Sequence, residues 1–292
     1  MIDTLPNTYE GASPVAKPIV GILHPGSMGA AVAAQAATHA ATVLWCRAGR
    51  SERTVARATR FGLEPVPTAA ELLERADIVI SLCPPAAAED VAREAGTHGF
   101  EGLYVEANAI SPERMERIVG LLPEALVLDG AVTGTPPSGR EAPTLYLSGL
   151  APAAAVVEKL FAGTDVTTKV LGAEVGQASA LKLAYAGLRK TSEVMAALSL
   201  GMAQEHGVGQ ELIALTSRLT GSPLAEPGRI AGTAARAWRW GPELEEAADL
   251  AAAAGLPDDL LRAAASTLAR WNDSKDDDSL SAEEALRRLR RA

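Results

Sequence analysis

The chain has 292 residues, with 27 Lys and Arg against 36 Asp and Glu and a formal net charge of −9. That length exceeds what one hydrophobic core usually organises and points to two self-supporting domains, while the acidic balance and the lack of a Lys/Arg stripe argue against a nucleic-acid partner. Cys46 and Cys83 form no Cys-x-x-Cys pair and stand beside no histidine cluster, so neither a disulfide framework nor a metal centre is expected, and a reducing cytoplasm fits.

The opening MIDTLPNTYEGASPVAKP is too polar for a signal peptide and reads as a flexible leader over residues 1–17. No apolar run approaches the roughly 18 residues of a membrane span. From Pro18 the apolar runs PIVGIL, ATVLWC, ADIVISLC, GLYVEA and ALVLDG predict strands. Helical stretches lie between them: an Ala-rich segment over residues 29–39, one capped by Thr68 over 68–75, and one opening at Ser111-Pro112-Glu113. Strands spaced by helices mean βαβ units. TLYLSG and residues 166–171 add two further strands, and from about Gly172 to Gly176 the pattern changes to long Ala/Leu-rich helices. The expected architecture is therefore α/β: a Rossmann-type N-terminal domain with a mainly parallel sheet over 18–172, then an all-α C-terminal substrate and dimerisation domain over 173–292. Residues 175–203 are apolar nearly all round, with Lys182, Arg189, Lys190 and Glu193 as exceptions. Such a helix is expected to be buried between domains or subunits, and it predicts a homodimer. Near the end, DSKDDDSLSAEEALRRLRRA reads as a solvated acidic turn and a basic surface helix.

VGILHPGSMGAAVAA places Gly21, Gly26 and Gly29 at a strand-to-helix junction, where glycine lets backbone approach a pyrophosphate and the helix start holds its charge. His24, Pro25, Gly26, Ser27, Met28 and Gly29 make up this turn, with His24 where a strict GxGxxG would have its first glycine. About 20 residues past Gly26, where NAD-binding folds carry a ribose-binding acid, the chain has Arg47, Arg50 and Ser51. Two guanidinium groups and a hydroxyl suit the 2′-phosphate of NADP(H).

At these residues HPGSMG resembles the GLGxMG turn of the β-hydroxyacid dehydrogenases, a group similar to 6-phosphogluconate dehydrogenase that includes the imine reductases. Cys83-Pro84-Pro85 resembles the family loop that passes the nicotinamide ribose, and Asn108 follows a Glu106-Ala107 pair where the family has an acid followed by Ser or Thr. The resemblance implies a cofactor role for these residues. Thr133-Gly134-Thr135 resembles the substrate-binding turn, and GQASALKLAYA the helix that carries the catalytic lysine. Carried over, Gly176 matches that motif's first glycine and Lys182 its lysine; Ala178 replaces its second glycine, and Tyr185 and Ala186 stand where two asparagines would be.

A partly buried lysine with a lowered pKa can protonate the oxygen that develops charge during hydride addition to a carbonyl. Lys182 is the expected donor, and Tyr185, three residues on, shares its helix side as an auxiliary donor or a packed aromatic. Ala178 and Ala186 are expected to keep that face open for a ligand. Thr133 and its neighbours offer hydroxyl and N–H groups to a substrate carboxylate, or form an ordinary turn. His206 reads as a helix C-terminal residue before Gly207, and Trp238 and Trp240 as packing or pocket lining. The reading that follows is NADPH-dependent interconversion of a small carboxylate-bearing hydroxy compound and its carbonyl form. Two alternatives stand: an imine reductase with Tyr185 as donor, and a nucleotide-binding regulatory protein without turnover.

Overall fold

The computed structural model describes residues 16–137, 142–218, 226, 228–253, 255 and 257–290, so the expected leader lies almost wholly outside the described residues. Strands β1 (Ile19–Leu23), β2 (Thr42–Cys46), β3 (Glu64–Val66), β4 (Ile78–Ser81), β5 (Leu103–Glu106), β6 (Leu126–Thr133), β7 (Thr144–Ser148) and β8 (Thr167–Gly172) form one sheet in the order 3-2-1-4-5-6-7-8. Every neighbouring pair is parallel except β6 and β7. The mainly parallel sheet and its Rossmann order are those expected, with the reversal of strand order lying between β1 and β4.

Six helices accompany the sheet: α1 (Ser27–Ala36), α2 (Glu52–Arg60), α3 (Ala69–Arg75), α4 (Ala88–Thr97), α5 (Pro112–Leu121) and α6 (Ala151–Leu160). Alternating strand residues feed two cores, Val20, Ile22, Ile80 and Val105 on one face and Leu44, Val79, Tyr104 and Val127 on the other. The Thr68 and Ser111 caps are as read, each accepting from the backbone N–H three residues on. Two elements escape sequence patterning. β3 is only three residues long, and α2 fully buries only Ala58, with Val55 partly buried against the core.

The C-terminal helices are α7 (Gln177–Glu205), α8 (Gly209–Thr216), α9 (Arg229–Ala253), α10 (Asp259–Ala269) and α11 (Ala282–Leu289). They share a third core containing Val194, Leu200, Trp240, Leu244, Leu268 and Trp271. Trp240 therefore packs rather than lining open space, and Trp238 lies beneath the Lys275 ammonium, 4.0 Å from its ring centroid. His206 ends α7 as expected, with Gly207 at φ 71° after it. One expectation is corrected. The basic C-terminal helix is not only a surface feature, because Ala285, Leu286 and Leu289 of α11 are buried in the third core. Within the single chain, Leu181, Tyr185, Leu188 and Met195 of α7 form an exposed stripe, with Leu188 at 72% exposure.

Candidate active site

The polypeptide leaves β1 through His24, which adopts φ 72°, a left-handed conformation at the position where the glycine motif calls for glycine. Its carbonyl accepts from the N–H of Gly26 at 2.7 Å and crowds Gly29, where a Cβ would come within 2.5 Å of it. Gly29 is thus demanded by the turn itself. Gly26 is different: its φ is −65°, and a Cβ there would meet nothing closer than 3.9 Å. The fold alone does not require that glycine, yet it leaves open space at the start of α1, whose first turn has neither a side-chain cap nor an acidic residue. An uncapped helix start with room beside it suits an approaching pyrophosphate.

Arg50 lies close enough to His24 to help burial push the imidazole pKa down to about 4, burial being the larger cause. The Nδ1 of His24 and the Nε of Arg50 are both buried without a protein partner among the described residues. Arg47 is exposed, and Ser51 caps α2 by accepting from Thr54 N–H at 3.3 Å. Arg57 of α2, which sequence reasoning passed over, donates to the Pro25 carbonyl at 3.3 Å and braces the turn. Exposed Arg47 and the unpartnered Nε of Arg50 thus leave open donors at this corner of the sheet.

Across the switch point, Cys83 N–H donates to Asn108 Oδ1 at 2.7 Å, and Asn108 Nδ2 donates to Ser81 Oγ at 3.2 Å and to Glu106. Asn108 is 3% exposed and its amide is engaged on both sides, so it shapes the Cys83-Pro84-Pro85 loop from beneath. Burial raises the Cys83 thiol to about 12, with Glu106 adding to the effect. The loop is also tied to the helical region: Arg114 donates to the Pro85 carbonyl at 2.9 Å, pairs with Glu89 at 2.9 Å, and pairs with Glu246 of α9.

Ser81, Glu106, Asp129 and Ser148 occupy one register row across β4 to β7, and each is fully buried. Burial lifts the Glu106 carboxyl to about 8. Asp129 accepts from Ser148 Oγ at 2.8 Å, Gly176 N–H at 2.9 Å, Ser179 N–H at 3.1 Å and Ser179 Oγ at 2.7 Å. A carboxylate so placed satisfies the donors at the start of α7 and complements its dipole. Both acids were visible as charges ending otherwise apolar strand runs, a pattern that calls for buried partners.

With its start pinned, α7 carries Lys182 inward, where Nζ donates to the Val132 carbonyl at 2.9 Å. Val132 directly precedes Thr133, so the lysine sits beside the Thr133-Gly134-Thr135 turn at the end of β6. Burial lowers the Lys182 pKa from 10.5 to about 8, with Arg189 and Arg239 contributing. Tyr185 is not brought together with it: the phenol belongs to the exposed stripe at 45% exposure. Ala178 and Ala186 are buried, at 0% and 2%, and pack rather than hold a face open.

Residues 19–105 match the family model described as NADP oxidoreductase, coenzyme F420-dependent, and residues 203–271 match a domain of unknown function, DUF1932. An uncharacterised 28.5 kDa protein of Methanothermus fervidus is 27% identical over 190 residues, covering 64% of this chain and 73% of that protein. Among solved structures, Mycobacterium tuberculosis 3-hydroxyisobutyrate dehydrogenase, seen with L-serine, is similar with a TM-score of 0.73 and 18% identity over 94% of this chain and 99% of that one. An imine reductase from Pseudomonas sp. is similar with a TM-score of 0.56 and 18% identity, covering 94% and 99%. Fold, glycine turn and family model together define the class, an NAD(P)-binding oxidoreductase. Its fold is shared with 3-hydroxyisobutyrate dehydrogenase and with imine reductases.

Proposed function

We propose that the chain is an NADPH-dependent oxidoreductase that interconverts a small carboxylate-bearing hydroxy compound and its carbonyl form, with Lys182 as general acid/base. The observation that carries this reading is Lys182 itself: a half-buried ammonium with a pKa of about 8, held on the Val132 carbonyl beside the Thr133–Thr135 turn. A donor titrating near working pH transfers protons most effectively. Residues 18–172 are read as the dinucleotide-binding domain, with residues 24–29 against the pyrophosphate, Arg47, Arg50 and Ser51 on the 2′-phosphate, and Cys83 to Pro85 beside the nicotinamide ribose. NADPH, when bound, supplies the hydride. In the reducing direction the Lys182 proton passes to the carbonyl oxygen; in the oxidising direction the neutral amine takes it back from the hydroxyl. Thr133, Gly134 and Thr135 orient the substrate carboxylate.

Residues 173–292 form the substrate and dimerisation domain in this reading. The exposed stripe of Leu181, Tyr185, Leu188 and Met195 supports a homodimer, since an apolar helix face of this kind is normally covered. The two free cysteines suit the cytoplasm. The test of function follows NADPH absorbance against a panel of oxo acids, semialdehydes and cyclic imines. Turnover of oxo acids or semialdehydes is expected; turnover of cyclic imines alone would overturn the carbonyl assignment. Light scattering should give a dimer at micromolar concentration, and a monomer would refute that part.

A further inference from the structure

Lys182 and Arg189 stand two helical turns apart on the side of α7 that packs against α9. Arg189 stacks on Trp240 of α9, its guanidinium carbon 5.1 Å from the ring centroid, which holds the fork in a fixed direction. Arg239 precedes Trp240 on the same helix and influences the charge of Lys182, as Arg189 does. The acidic residues along this stretch are already engaged elsewhere: Glu193 with Arg229, Glu243 with Lys190, Glu246 with Arg114, and Glu245 and Asp249 with Arg262. Among the described residues no ion pair joins Lys182, Arg189 or Arg239 to a carboxylate. Asp276 faces Arg239 from beyond ion-pair distance, and Arg236 is paired with Asp278. Lys182, Arg189 and Arg239 therefore gather around the Lys190–Glu243 pair with a net excess of positive charge next to the proposed reaction centre. Like charges gathered in a partly desolvated site repel, and an anionic ligand relieves the repulsion.

We propose that Arg189 and Arg239 form a second anion subsite beside Lys182, so that the substrate is a dianion: an oxo acid with one carboxylate on the Thr133–Thr135 turn and a carboxylate or phosphate at its far end. The inference rests on the reading of Lys182 as acid/base and names the substrate class of that same site. Guanidinium groups recognise either anion by charge-assisted, bidentate hydrogen bonds.

The test is calorimetric titration of the protein saturated with NADP+, which has no hydride to give to an oxo acid, using pairs that differ in the terminal group: α-ketoglutarate against α-ketovalerate, α-ketoadipate against α-ketocaproate, and phosphonopyruvate against pyruvate. In at least one pair the dianion should bind about tenfold or more tightly, as expected for one added charge-assisted contact. The preference should largely vanish in Arg189→Met and in Arg239→Met, and survive in part in Arg189→Lys, with thermal midpoints confirming that each variant folds. The pair that discriminates identifies carboxylate or phosphate as the second group. Equal binding within every pair, or a preference that persists in both methionine variants, overturns the subsite. Failure of the acid/base reading is separable, because a dianion preference with unchanged turnover in Lys182→Met would keep the subsite and remove only the proton-transfer role.

Discussion

Replacing Lys182 by methionine keeps the apolar stem and the helix propensity while deleting the charge. A shift from 10.5 to about 8 means that carrying the proton in the folded protein costs about 3 kcal/mol relative to the unfolded chain. The variant escapes that cost but leaves the Val132 carbonyl without its donor, a loss of about 1 to 3 kcal/mol. At pH 7, Lys182→Met should therefore be as stable as the parent or up to about 2 kcal/mol more stable. Between about pH 8 and 10.5 the unfolded lysine still holds its proton while the folded one has lost it, so the parent gains stability as pH rises and overtakes or matches the variant. Catalysis should move the other way, with kcat falling by about 10²- to 10⁴-fold and NADPH affinity nearly unchanged. In the parent, kcat/KM for carbonyl reduction should decline above about pH 8 as the acid form is lost. Steady-state turnover, NADPH titration and thermal denaturation across pH together test this. A kcat within a few fold of the parent would refute the assignment, and a variant clearly less stable at pH 7 would refute the electrostatic account.

Gly26→Ala should fold normally yet weaken NADPH binding, because the added methyl occupies ligand space rather than protein space, whereas Gly29→Ala should lower the thermal midpoint as well, by driving Cβ into the His24 carbonyl. Equal effects of the two substitutions on stability would contradict the distinction. Arg50→Ala and Arg47→Ala should each weaken NADPH by on the order of tenfold and leave NADH almost unaffected, as measured by fluorescence titration, since each removes a phosphate contact absent from NADH. Glu106, raised to about 8, binds its proton more tightly folded than unfolded, so the parent should lose stability as pH rises from about 4.5 to 8. Glu106→Gln should flatten that slope in thermal denaturation, and an unchanged slope would place the titration elsewhere.

Much of the N-terminal half was legible in the chain because its signals are local. Apolar runs of strand length, glycine at a strand-to-helix turn and hydroxyl caps all act within a few residues, so β1, β2, β4, β5 and β6 and the Thr68 and Ser111 caps follow from neighbours in sequence. Lys182 was also visible, as a cation that an apolar helix has no reason to carry. What sequence determined about this protein is therefore its layered α/β architecture, its glycine turn and the residue types available for chemistry. The tertiary structure alone decided which of them meet. Helical spacing put Lys182 and Tyr185 on neighbouring positions, but only the seating of α7 on β6 turns the lysine inward and leaves the phenol outside. That seating depends on Asp129 gathering donors from Ser148, Gly176 and Ser179, and the placement of α9 depends on Arg114 reaching Glu246. These contacts join residues 19 to 132 positions apart, and no local propensity encodes a partner at that distance: a buried charge announces that it needs one, and only the packed fold supplies it.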